Sequence, residues 1–131
     1  MEIKRIFTHS GPFHADDAMA VAICIQHSPK AEVLRVKELP DNYNVATDIA
    51  VDIGNCCDVD KKIFDHHFVG GNDDGNAACG KLWNVLAPEL GYTEKHIARI
   101  KKRIIDPISR ADTGIQDFKS VKDEWRTLSF Y

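Results

Sequence analysis

The sequence has no apolar run long enough to cross a bilayer as a helix. Its start, Met1-Glu2-Ile3-Lys4-Arg5, leads directly into a strand-like alternation and has no basic-then-apolar targeting pattern. The expectation is a cytoplasmic protein with no membrane contact. Cysteine is scarce: Cys24, Cys56, Cys57 and Cys79 show no framework spacing. Adjacent Cys56 and Cys57 are poorly placed to bridge each other, so reduced thiols are expected, with a zinc site on that pair as the lesser alternative. An excess of positive charge is also missing. The formal net charge is −3, which argues against sequence-independent binding to duplex nucleic acid. A short anionic substrate stays compatible, because bound divalent cations reverse the local field. There is no internal repeat and no long linker. At 131 residues, 44% hydrophobic and 28% charged, the chain reads as one domain with a core of its own.

The apolar pattern gives the order β-α-β-β-β-α-α. Residues 2–9 alternate and predict a first strand, followed by the turn cluster Ser10-Gly11-Pro12. From Asp16 to Gln26 the chain is apolar almost all round, which predicts a helix buried on more than one side. Strands are predicted at 31–36, 48–53 and 62–65. The run Asp48-Ile-Ala-Val-Asp-Ile53 has the continuous apolar character of a central parallel strand. A loop at 70–76 precedes a helix over 77–90 with Asn76 as its candidate cap. A last helix starts near Thr93 and is interrupted at Asp106-Pro107, where a kink or a fresh start is expected. The fold class implied is α/β, a mostly parallel Rossmann-like sheet with helices on both faces.

Acids and imidazoles recur in four segments: His9 with His14, Asp16 and Asp17; Asp52 before Ile53-Gly54; Asp65-His66-His67; and Asp112 before Thr113-Gly114. Three of the four fall at the carboxyl ends of predicted strands, where open α/β sheets bind ligands. A centre of two divalent cations needs a carboxylate to bridge them and terminal ligands on either side. Asp52 suits the bridge, because a metal neutralises a carboxylate that would otherwise be costly on a buried strand. His9, His14 and Asp16 can reach one site from a turn and the first helical turn, while His66 and Asp112 complete the second. His67 is then left to face substrate as a hydrogen-bond donor or acid/base. Mixed imidazole and carboxylate donors suit manganese, iron, cobalt or zinc better than an all-oxygen magnesium cage. Each residue alone has a duller reading: Asp before Gly is commonly a turn, and His14, Asp16 and Asp17 could simply cap the first helix. The joint pattern carries the functional reading.

At these residues the chain resembles the DHH phosphoesterase superfamily, and within it the branch of melanocyte-proliferating-gene (Myg) type nucleases. Thr8-His9-Ser10-Gly11-Pro12-Phe13-His14-Ala15-Asp16-Asp17-Ala18 is similar to the first motif of that branch, Val51-Asp52-Ile53-Gly54 with Asp58 to the second, Phe64-Asp65-His66-His67 to the third, and Asp112-Thr113-Gly114-Ile115 to the fourth. Ala77-Ala78-Cys79-Gly80 is similar to the small-residue helix start that follows the triplet.

The resemblance implies a dinuclear centre, manganese first and zinc, cobalt or magnesium as alternatives. It implies His9, His14, Asp16, Asp52, His66 and Asp112 as metal ligands, with Asp52 bridging. Asp65 would orient the histidines, His67 would contact the scissile phosphate, and the helix start near Ala77–Gly80 would offer N–H groups to an anion. The expected activity is hydrolysis of a nucleotide or short oligonucleotide phosphodiester by metal-activated water. The expected partner is a small phosphorylated substrate or short single-stranded nucleic acid. The chain ends soon after the fourth motif, so 1–131 reads as a catalytic domain without the second domain that usually closes over the metals. A second copy or a partner protein would then complete the open site. The alternative is a metal-containing binding or decoy module for a phosphorylated ligand or a protein.

Overall fold

Apolar residues on both sides of the first strand set the architecture. In β1 (Arg5–His9), Ile6 and Phe7 point to opposite faces and both are buried. A strand buried on both faces belongs inside a sheet. β1 indeed pairs in parallel with β2 (Glu32–Val36) on one side and β3 (Asp48–Val51) on the other. In this computed structural model, residues 1–114 are described throughout, together with the backbone of two short strands further on. β4 (Cys57–Asp58) and β5 (Ile63–Phe64) complete a five-stranded sheet of order β2-β1-β3-β5-β4, parallel except for the antiparallel edge β4. β6 (Phe118–Lys119) and β7 (Trp125–Arg126) form a separate antiparallel pair. Ile115 of the fourth motif lies outside the described residues.

The main core lies on the face of Ile6, Ile49, Val51 and Phe64, covered by α1 (Ala15–His27) and α2 (Ala78–Leu86) through Ala20, Ile23, Leu82, Trp83 and Leu86. Each large side chain fully buried there contributes about 1.5–3 kcal/mol. The opposite face carries Phe7, Ala50 and Ile63, and here the expectation of a helical cover needs refining. Among the described residues, that face is closed by Leu39, Tyr43 and Cys56 from connecting segments. The β2–β3 connection contains Pro40, Asn42 and Asn44, which favour turns over helix. Tyr43 fastens it: its hydroxyl donates to the Lys61 carbonyl at 2.8 Å, with the Lys62 carbonyl at 3.0 Å as the alternative acceptor.

The later helices depart from expectation in two instructive ways. α2 stops at Leu86 and gives way to a 3-10 turn (Ala87–Glu89) containing Pro88. Beyond it, α3 (Glu94–Ile100) starts as the sequence predicts, with the Thr93 hydroxyl accepting the His96 N–H at 3.2 Å. A π-helical segment (Lys101–Ile105) then joins α3 to α4 (Asp106–Asp112), so the fresh start expected at Asp106-Pro107 is there, reached without leaving the helical run. The wider turn lets the Asp106 N–H reach the Lys101 carbonyl, and Pro107, which has no N–H to offer, falls in the first turn of α4. The four cysteines are free thiols. No helix among the described residues is long and apolar enough to cross a membrane.

Candidate metal centre

β1, β3 and β5 run in parallel, so their carboxyl ends deliver His9, Asp52 and the Asp65-His66-His67 triplet to one edge of the sheet. Asp52 follows β3 directly. Its N–H still bonds the Phe64 carbonyl at 2.8 Å, but its φ of 55° turns the chain into the left-handed region. Aspartate tolerates that conformation better than most residues, and strain of this kind gathers at functional sites.

Two three-residue groups of carboxylate and imidazole form around Asp52. On the cavity side, His9, Asp17 and Asp52 bring potential ligand atoms within 4.8 Å of one another; on the buried side, Asp16, His66 and Asp112 do the same. His9 Nε2 contacts Asp17 and lies 3.3 Å from Asp52 Oδ2. His66 Nε2 lies 2.9 Å from Asp112, 3.5 Å from Asp52 Oδ1 and 3.6 Å from Asp16. Asp52 therefore faces both groups, one oxygen toward each.

Of the residues anticipated as ligands, five come together here: His9, Asp16, Asp52, His66 and Asp112. His14 stands on the wall of the adjoining cavity and belongs to neither group; Asp17 occupies the place beside His9. Sequence reasoning treated Asp17 as a helix-cap residue, and it is that as well, accepting the His14 N–H at 2.6 Å. Asp16 also does two things. Its carboxylate accepts the N–H groups of Ala78 and Cys79 at 3.2 and 2.8 Å, so it caps α2 across the fold. That corrects two expectations: Asn76 is not the cap, and the anion held at the start of α2 is the protein's own Asp16.

The triplet divides its work. Buried Asp65 accepts the His67 Nδ1–H at 2.7 Å and the backbone N–H groups of His66 and Asn55 at 2.8 Å each. The ring of His66 is held by a different residue, Asn72, whose Oδ1 lies 2.6 Å from Nδ1. Nothing in the sequence pattern singled out Asn72, which sits in a Gly-rich loop six residues downstream. His67 keeps 58% of its side chain exposed. It lines a cavity of ≈ 610 Å³ with His9, His14, Asp52, Lys37 and Asn55.

The electrostatics of the cluster centre on His66 and Asp52. Burial alone would push His66 toward neutrality, but the carboxylates of Asp112, Asp16 and Asp52 outweigh it and hold its pKa up to about 12. Asp52 is pushed the other way for a carboxylate, raised by burial and by the charges of Asp16 and Asp65 against the opposing pull of His66 and His67. Asp52 Oδ1 and His66 Nε2 are both buried without a well-formed hydrogen bond. Two such atoms facing each other among carboxylates are costly unless a cation completes them. Their chemistry, oxygen and imidazole nitrogen, suits manganese, cobalt or zinc.

The family model MYG1_exonuc, described as an uncharacterised protein family (UPF0160), matches residues 5–82. The chain belongs to this family. The match spans β1 to the first half of α2 and so includes His9, Asp16, Asp17, Asp52 and the triplet. The chain is 38% identical over 99 residues to the MYG1 exonuclease of Bos taurus and 37% identical over 99 residues to that of Homo sapiens. Each match covers 73% of this chain and 26% of the relative. With the MYG1 protein YER156C of Saccharomyces cerevisiae it shares 33% identity over 116 residues, 86% of this chain and 32% of the relative. The chain thus spans about a quarter to a third of the length of these relatives. No solved structure matches.

Proposed function

We propose that this MYG1_exonuc family chain is a metal-dependent phosphoesterase acting on nucleotides or short single-stranded oligonucleotides. The observation that carries the reading is the pair of ligand groups with Asp52 between them, a member of the His9 group and 3.5 Å from His66 of the other, with Asp52 Oδ1 and His66 Nε2 both buried and without a well-formed hydrogen bond. The exonuclease names of the mammalian relatives support a nuclease class of reaction. The resemblance of the four motifs to those of DHH phosphoesterases supports two divalent cations, manganese first. His9, Asp17 and Asp52 would hold one, with His14 near at hand on the cavity wall; Asp16, His66 and Asp112 would hold the other, with Asp52 in common.

Held by these residues, two divalent cations would supply a nucleophile at neutral pH and offset charge developing on phosphorus-bound oxygens. The chain's own side chains do the rest. Asp65 takes the Nδ1–H of His67, which orients that ring and leaves Nε2 for the substrate. In its protonated form, Nε2 can donate to a phosphate oxygen and pass a proton to the leaving group. Lys37, on the same cavity, supplies positive charge for a neighbouring phosphate.

The test is cleavage by the purified chain loaded with Mn²⁺ against short RNA and DNA, mononucleotides, cyclic dinucleotides and pyrophosphate. Release of mononucleotides, abolished by chelation and strongly reduced in His67→Ala, is the expected result. Metal-loaded protein that cleaves none of these substrates overturns the reading.

A further inference from the structure

His66 can serve a cation only if the lone pair of Nε2 points at the carboxylates. An imidazole has two nitrogens, and the group bonded to one decides which proton state the other adopts. Here Nε2 is aimed into the space between Asp16, Asp52 and Asp112, at 3.6, 3.5 and 2.9 Å. The opposite nitrogen, Nδ1, meets the amide oxygen of Asn72 at 2.6 Å. An amide oxygen can only accept, so Nδ1 keeps its hydrogen in either proton state, and Nε2 is the nitrogen that gives up its proton and turns a lone pair toward a cation.

Asn72 is an exposed loop residue, so its place needs a second cause. Gly71 is buried, and a Cβ there would lie 2.1 Å from the His66 carbonyl oxygen and 3.0 Å from that of Phe68. Only glycine lets the loop fold back this closely onto the triplet. The Gly71 N–H bonds the Phe68 carbonyl at 2.9 Å, and the Asp73 and Gly75 N–H groups bond the Gly70 and Asn72 carbonyls at 3.1 and 3.0 Å. A run of tight turns therefore presses residue 71 against the backbone of His66 and swings residue 72 over its ring.

We propose that Gly71 and Asn72 form a clasp that fixes the rotamer and tautomer of His66, making Asn72 a positioning residue for cation uptake by the Asp16–His66–Asp112 group. The inference rests on the metal-dependent reading above. The opposite orientation of the Asn72 amide would place its NH₂ on Nδ1, leave the hydrogen on Nε2 and give the three carboxylates no imidazole ligand.

Asn72→Asp keeps the shape and the acceptor oxygen; Asn72→Leu keeps the approximate volume and removes the acceptor. Zn²⁺ is the diamagnetic probe, titrated by calorimetry into the full chain, with ¹⁵N shifts of the histidine rings read on the loaded protein. Expected is a roughly 10- to 100-fold weaker uptake by one of two sites in Asn72→Leu, near-wild-type uptake in Asn72→Asp, and a protonated Nδ1 with Zn²⁺-shifted Nε2 for His66 in wild type. Gly71→Ala should match Asn72→Leu. Equal affinity of wild type and Asn72→Leu, or a His66 that carries its proton on Nε2 when loaded, overturns the clasp. Wild-type protein that takes up no Zn²⁺ or Mn²⁺ overturns the metal reading itself, and normal uptake without cleavage overturns only the hydrolytic activity.

Discussion

In the cavity-side half of the cluster, His9 keeps 26% of its side chain exposed and is steadied mainly by the two carboxylates it faces, Asp17 and Asp52. In the buried half, the side chains of His66 and Asp16 are only 3% and 1% exposed. Every member there is tied to the scaffold: Asp16 caps α2, Asp112 ends α4, and Asn72 holds the His66 ring. The difference teaches that the two halves answer to different things. The buried half is coupled to the packing of α1, α2 and α4, so a cation held there would be linked to the stability of the fold. The cavity-side half is open only at His9, since its partner Asp17 is fully buried and caps α1. Asp52 is shared between them by contact, with Oδ2 3.3 Å from His9 and Oδ1 3.5 Å from His66.

Removing that shared residue has the largest expected effect. Asp52→Asn should lose both cations and all cleavage, whereas Asp112→Asn should lose chiefly the buried one. Elemental analysis of desalted protein checks this, and equal metal content in wild type and Asp52→Asn would break the bridging assignment.

Asp16 tests whether the buried half is truly built into the scaffold. Asp16→Ala removes the tertiary cap of α2 and should destabilise the ion-free protein by about 1–2 kcal/mol. Asp16→Asn, which keeps an acceptor oxygen, should lose less. His9→Ala, in the open half, should leave the ion-free melting temperature nearly unchanged. Thermal denaturation distinguishes the three, and a greater loss in His9→Ala than in Asp16→Ala would reverse the comparison.

The smallest effect is graded with pH. His66 has a folded pKa of about 12, above the 6.5 of a free imidazole. The stabilisation it gains from the three carboxylates in the ion-free protein is thus fully present below pH 6.5 and lost as pH rises through about 12. A cation entering the buried half must displace that proton, so uptake should release protons and tighten as pH rises. Calorimetry in two buffers of different protonation enthalpy measures the release. Mn²⁺ uptake at neutral pH with no proton release would remove the contrast between the halves.

Much of the centre was legible before any fold was drawn. Asp52 at the end of an apolar run, and His66-His67 just after a short one, stand out because carboxylates and imidazoles are rare beside continuous core strands. Thr93 was readable as a cap because the hydroxyl and the helix start are neighbours in sequence. The missed features share one property: their partners are distant or depend on close approach. The cap of α2 lies 62 residues upstream of Ala78. β4 is only two residues long and exists because Cys57–Asp58 finds the free edge of β5. Asn72 reads as ordinary loop composition until Gly71 folds it onto His66.

Local chemistry along the chain thus determined which residue types could hold cations, the alternation of strand and helix, and the edge of the sheet where those residues would gather. Tertiary structure alone decided how they were shared out: Asp17 beside His9, Asp16 between His66 and the start of α2, and Asn72 behind the His66 ring. The physical reason is directional. Residue type and period can be read from sequence, but the orientation of each carboxylate oxygen and ring nitrogen is set by what packs against it from elsewhere in the fold.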